Sequence, residues 1–130
     1  MQCGMAIGMI RSSIALMRQV EGQLGHVNQY LEDQPEDFEK ILAEAEAELA
    51  ELALTPYDTS IAYFRRVVAL RLKGGETAMK AAHAAMLHQG ARGYVSGGAA
   101  QRRLREAYFI GIVTPATKQL RKMLHDLPQA

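Results

Sequence analysis

Residues 35–53 read PEDFEKILAEAEAELAELA. Phe38, Ile41, Leu42, Ala45, Leu49 and Leu52 recur at helical spacing along one side, and Glu and Lys cover the other. Pro35 at the head suits a first helical turn, where its missing N–H has no intrahelical partner to lose. The stretch predicts an amphipathic helix with one buried stripe.

The same periodicity extends in both directions. Upstream, Met5, Met9, Leu16, Val20, Leu24 and Val27 lie in helical phase over roughly residues 2–31, before a break at Asp33, Gln34 and Pro35. Gly4, Gly8, Gly22 and Gly25 weaken that segment by up to about 1 kcal/mol each relative to alanine. Gly4 and Gly8 share a face and would let another helix approach closely. Downstream, Thr55 followed by Pro56 has the form of a hydroxyl cap and a first-turn proline, opening a helix with Ile61, Phe64, Val67, Val68 and Leu72. Gly74 and Gly75 either kink it or end it, and two adjacent glycines favour an end. Glu76 to His88 is helical again, with Met79, Ala82, Ala85 and Met86 inward; its alanines imply tight packing. Gly90, Gly93, Ser96, Gly97 and Gly98 mark a loop. Ala99 to Val113 follows with Leu104, Tyr108 and Ile112 in phase. Thr114-Pro115 breaks or recaps the helix, and Ala116 to Leu127 closes the chain with Leu120, Met123, Leu124 and Leu127. No alternating strand and no internal repeat appears. The expected fold is all-α: an up-and-down antiparallel four-helix bundle with additional short helical segments.

At 130 residues and 48% hydrophobic, the chain fits one domain that can bury a core without disulfides or metal. Fifteen basic residues against fourteen acidic ones leave a net charge of +1. Nucleic-acid binders carry a concentrated basic field; the one cluster, Arg102, Arg103 and Arg105, has Glu106 beside it. No nucleic-acid partner is expected. Cys3 is the sole cysteine, so no internal disulfide can form, which fits a reducing compartment. His26, His83, His88 and His125 are scattered, and the five-residue step from His83 to His88 does not put both on one helical face. They read as surface or partly buried histidines, not metal ligands. The apolar opening, residues 1–10, lacks a basic segment ahead of it and a small-residue cleavage site, and Arg11 follows at once. No uncharged apolar stretch approaches the ~18–20 residues of a membrane span. The expectation is a cytoplasmic protein with no membrane partner. Glu44, Glu46, Glu48 and Glu51 read as a solvated face. No Gly-rich phosphate loop and no nucleophile with a base at motif spacing is present, so no catalytic residue is assigned.

One segment carries more. His88-Gln89-Gly90-Ala91-Arg92-Gly93-Tyr94 is followed, after six residues, by Gln101-Arg102-Arg103-Leu104-Arg105-Glu106-Ala107. This resembles the C-terminal helical domain of the acyl-CoA dehydrogenase family, in which a helix ends in Gly-Gly-x-Gly-Tyr or Gly-Gly-x-Gly-Phe. A short loop, an Arg-Asp-Ala motif and Ile-Tyr-Glu-Gly-Thr come next. Without a gap, Gly90, Gly93 and Tyr94 fall on the glycine turn, Arg105, Glu106 and Ala107 on Arg-Asp-Ala, and Ile112 on the isoleucine. The opening Met5-Ala6-Ile7-Gly8-Met9-Ile10 also looks like the family's small-residue helix at the start of this domain. Between about Glu21 and Gly75 the helices are compatible but carry no motif.

The resemblance implies an FAD-dependent, usually tetrameric enzyme that desaturates acyl-CoA thioesters: a carboxylate takes the α proton and the flavin accepts hydride from the β carbon. It implies that Gly90 and Gly93 let backbone approach the ADP part of FAD bound to a neighbouring subunit, since glycine alone permits such contact. It implies self-association as a dimer or tetramer, or association with the family's N-terminal helical and middle β domains, which supply much of the flavin and substrate site and are not in this sequence. The isolated chain is therefore expected to be inactive and to hold no FAD tightly. Arg105 and Glu106 are expected to form a structural ion pair.

Three departures bear on function. Thr114, followed by Pro115 and Ala116, stands where many members carry the catalytic glutamate, and threonine is no base for this proton near neutral pH. A few branches carry their glutamate on the first helix, where Glu21 lies, but no motif assigns it that role. Leu87 stands where a flavin-contacting glutamine is common, and the family's Arg-rich, Phe-containing loop after the first helix is missing. These departures leave two further expectations open: a helical interaction module that kept the fold without the chemistry, or a piece of a related flavin monooxygenase, which needs no α-proton base. The chain also opens at Met1 straight into an apolar helix with no capping residue ahead, as a start at an ancestral domain boundary would.

Overall fold

A computed structural model describes residues 2–95 and 97–128. The amphipathic segments form α1 (Gln2–Gln19), α2 (Glu21–Asn28), α3 (Pro35–Ala53), α4 (Ile61–Gln89), the single turn α5 (Ala91–Tyr94), α6 (Ala99–Ile112) and α7 (Thr117–Asp126). Among the described residues there is no strand, so the all-helical class expected from periodicity is present.

Several boundaries differ from expectation. The first segment is two helices, because buried Val20 sits at φ −101°, ψ 0° and turns the chain between α1 and α2. Thr55-Pro56 does not open α4: the Thr55 N–H donates to the Leu52 carbonyl at 3.3 Å, closing the end of α3. The cap is Ser60, whose hydroxyl accepts from the Tyr63 N–H at 3.2 Å while its own N–H donates to Asp58 Oδ1 at 2.8 Å. Gly74 and Gly75 neither end nor kink a helix; α4 runs through them for 29 residues. Packing outweighs propensity there. A Cβ on Gly74 would stand 3.2 Å from the Ala6 Cβ, and one on Gly75 would stand 2.8 Å from a guanidinium nitrogen of Arg71. The loop expected from Gly90 onward contains the turn α5. Gly4 and Gly8, by contrast, have nothing within 4 Å of where a Cβ would be, so no helix of this chain approaches them. Met5, Val27, Ile61, Phe64, Tyr108 and Ile112 keep their helical phase yet are exposed.

The main core joins Ala6, Met9, Ile10, Ile14 and Met17 of α1, Phe38 of α3, and Ala107 and Ile110 of α6 to Ala78, Ala81, Ala82, Ala84 and Ala85 of α4. Pair contacts fix the directions. Ala6 lies by Gly74 and Leu16 by Gln89, so α1 and α4 run parallel. Arg18 pairs with Glu39 and Arg11 with Glu46, so α3 is antiparallel to α1. Gly93 meets Ala100 and Arg71 meets Ile110, so α6 is antiparallel to α4.

Helix α7 sits apart on a separate, small cluster in which Leu120 packs on Val68 and Leu72, with Met123 and Leu124 beside them. Arg65 holds its end: the guanidinium donates to the carbonyls of Leu127 at 2.6 Å and Leu124 at 3.5 Å. Hydrogen bonds to charged groups contribute about 1.5–3 kcal/mol. Arg65→Met is therefore expected to speed amide exchange in α7 roughly 10- to 100-fold and leave the α1 amides unchanged. Equal acceleration in both helices, read by hydrogen exchange with mass spectrometry, would refute this separate attachment.

A polar side chain sits in the core without a partner. Ser13 is completely buried and its hydroxyl has no hydrogen-bond partner. Ser13→Ala removes an unsatisfied group at nearly constant shape and is expected to stabilise the fold by about 1 kcal/mol, raising the melting temperature by roughly 2–6 °C. A lowered melting temperature by calorimetry would show that the hydroxyl is satisfied in solution.

Candidate functional site

The expected site residues gather at the C-terminal end of α4. The alanine stripe of α4 continues into polar side chains: His88 lies seven residues beyond Ala81, and Gln89 four beyond Ala85. Both are therefore buried. His88, read from sequence as a surface or partly buried residue, is only 3% exposed. Its Nε2 lies 2.9 Å from the Asp33 carbonyl oxygen, and because a carbonyl can only accept, Nε2 carries the proton. Its backbone carbonyl accepts from Asn28 Nδ2 at 3.0 Å. Gln89 Nε2 donates to the Leu16 carbonyl at 2.9 Å. Gln34 Nε2 closes the α2–α3 connection on the carbonyls of Leu31 and Asn28 at 2.7 and 2.9 Å. These five bonds are made by neutral side-chain amides and one imidazole, and each ends on a backbone carbonyl.

Two shallow depressions flank His88. One, about 110 Å³, is lined by Asp33, His83, Leu87 and His88 among others; the second, about 80 Å³, lies against Met17, Glu21, Asn28 and Gln34. Leu87 is exposed at the rim of the first. Glu21, the glutamate on the first segment, is exposed at the start of α2 and ion-paired to Arg18 at 3.0 Å. Arg18 also reaches Glu36 and Glu39, and its hydrogen bonds to Glu39 and Glu21 hold its guanidinium pKa above the ordinary arginine value.

The two glycines of the corner have different physical reasons. Gly90 caps α4 at φ +67°, a left-handed backbone region that side chains disfavour, and the space above its Cα is open. Gly93 is buried: a Cβ there would lie 2.8 Å from the Gln89 Cβ and 3.1 Å from the Ala100 Cβ. Its close approach is to this chain's own helices. Tyr94 is exposed.

The arginine-led helix also differs in detail. Glu106 pairs with Arg102 at 3.4 Å and Arg103 at 3.3 Å. The expected Arg105–Glu106 pair is replaced because adjacent residues on a helix diverge, whereas those three or four apart face each other. Arg103 further donates to the Ser12 hydroxyl at 2.6 Å, tying α6 to α1. Thr114 is exposed beyond the C-terminus of α6. Gly93 and Thr114 therefore lie at opposite ends of α6, a helix of fourteen residues, about 21 Å at the standard rise. The structure brings Gly90, Gly93, Leu87 and Glu21 to one end of the molecule and leaves Thr114 at the other.

Burial pushes the Cys3 thiol pKa up, so it stays protonated at neutral pH. Among the described residues no group of three His, Cys, Asp or Glu side chains converges as a metal site would, and no helix is long and apolar enough to cross a membrane. Sequence reasoning missed Arg71, which is 4% exposed and donates to the Ile110 carbonyl at 2.8 Å. The available signal was its position between Val68 and Leu72 on the inward stripe. No family model, curated protein or solved structure matches the chain.

The buried amide contact at this end is testable. Asn28→Ala leaves the His88 carbonyl without its buried donor and is expected to destabilise by about 1–3 kcal/mol. Arg92→Ala, which removes only an exposed 3.2 Å contact to Gln23, should stay within about 0.5 kcal/mol. Equal shifts in urea midpoint for the two variants would deny Asn28 this role.

Proposed function

We propose that this chain acts as the C-terminal helical, flavin-side and subunit-packing domain of an acyl-CoA dehydrogenase-like FAD-dependent oxidoreductase. It works with flavin-binding domains and is inactive alone. One observation carries this reading: the glycine corner and the arginine-led helix are consecutive antiparallel helices, with Gly90 open at a positive φ on the surface between them. The long helices α1, α3, α4 and α6 alternate in direction, which supports the up-and-down bundle this domain requires. Gly90 is the backbone position suited to a neighbouring subunit's ADP group, while Gly93 supports it from beneath. Self-association as a dimer or tetramer belongs to the same reading.

Thr114 and Leu87 favour a second reading, an interaction module without chemistry. Both are exposed, and neither offers the carboxylate or amide that flavin-linked desaturation uses there.

A chimera separates the two. The chain would be fused behind the N-terminal helical and middle β domains of an acyl-CoA dehydrogenase, in place of that enzyme's own C-terminal domain. It is expected to bind FAD and to reduce it slowly with acyl-CoA. Thr114→Glu in the chimera should raise the rate of flavin reduction by roughly 100- to 10,000-fold, the usual contribution of a positioned base. A folded chimera without flavin absorbance would favour the interaction module, and a stoichiometric flavin spectrum from the chain alone would overturn its dependence on other domains.

A further inference from the structure

The surface between α1 and α6 has unusual relief. Phe109, 54% exposed, borders two depressions. One, about 360 Å³, is formed with Met5, Met9, Glu106 and Ile110; the other, about 390 Å³, with Arg102, Arg105 and Glu106. Met5 is 42% exposed, and Tyr108 and Ile112 on the same helix are exposed as well. The helical phase of Met5, Tyr108 and Ile112 marks them as core, yet they and Phe109 remain exposed.

We infer that the α1–α6 face is a two-fold interface on which a second copy of this chain docks, the Phe109 of each copy seating in the Met5–Met9–Ile110 hollow of the other. This rests on the subunit-packing part of the function proposed above and names the surface that carries it. Knob and hollow belong to one patch, which is the arrangement an isologous contact requires: what one copy offers, the other receives. Thioether side chains lining the hollow adapt to an aromatic ring and contact it favourably at the sulfur. Around the ring, Arg102, Arg105 and Glu106 put both charge signs on the rim, so a copy turned about the axis can meet arginine with carboxylate on each side.

The test is light scattering on the full chain over a range of concentrations, with circular dichroism alongside. The wild type is expected to be a dimer. Phe109→Glu should weaken dimerisation by roughly 100-fold or more, as loss of a central aromatic anchor does, with unchanged helicity. Met5→Glu repeats the test from the hollow should the first variant fold poorly. Tyr30→Glu, exposed at the other end of the molecule, should remain dimeric. A wild type that stays monomeric, or a dimer that survives both substitutions, overturns the interface. Either result concerns this face alone; the flavin reading is judged by flavin absorbance in the chimera, not by the oligomeric state of this chain.

Discussion

Every long helix leaves carbonyls unpaired at its C-terminal end, and α4 is where this protein satisfies them. The Tyr63 hydroxyl donates to the Leu52 carbonyl at the end of α3, at 2.7 Å. Arg65 serves the end of α7, Arg71 the end of α6, and Gln89 the end of α1. Four donors spaced along one helix reach the termini of four others. Each contributes modestly, about 0.5–3 kcal/mol depending on charge, but together they fix where each helix must stop relative to α4. The buried and half-buried polar side chains of α4 thus set register, a task that apolar contact alone performs poorly because it is non-directional.

Register would be useless without close approach, and the alanines of α4 provide that. Ala78, Ala81, Ala82 and Ala85 are essentially inaccessible to solvent, and they let α1 lie along α4 with its larger residues, Met9, Ile10, Ile14 and Met17, filling the space. Large side chains on one helix against small ones on the other give native density without strain. Gly74 extends the same logic to Ala6. The close contact of α1 with α4 leaves α3 and α6 to flank them, each touching both.

Much of this was legible in the chain. The helical class, the amphipathic α3 and the alanine-rich stretch followed from periodicity, and the start of α3 at Pro35 fell where its proline placed it. What escaped had physical causes. Gly74 and Gly75 suggest a break by propensity, but their missing side chains admit Ala6, a contact remote in sequence, and the guanidinium of Arg71 one turn back on the same helix. Thr55-Pro56 competed with Ser60 four residues later, and the choice depended on the Thr55 N–H turning back to α3. His88, Gln89 and Arg71 sat in phase with the buried stripe, yet their polar character hid that phase. At the candidate site, the corner between α4 and α6 was readable from its glycines. The distinct roles of Gly90 and Gly93, and the separation of both from Thr114, needed the three-dimensional arrangement.

The parallel course of α1 and α4 brings the negative poles of two macrodipoles to the same end of the molecule, an arrangement that repels on its own. The antiparallel helices reverse the sign. The positive amino ends of α3, beside Gln34, and of α6, beside Gly98, lie at that same end. The field of the pair is opposed locally by its neighbours, so oriented backbone of both senses surrounds His88 and the amides near it.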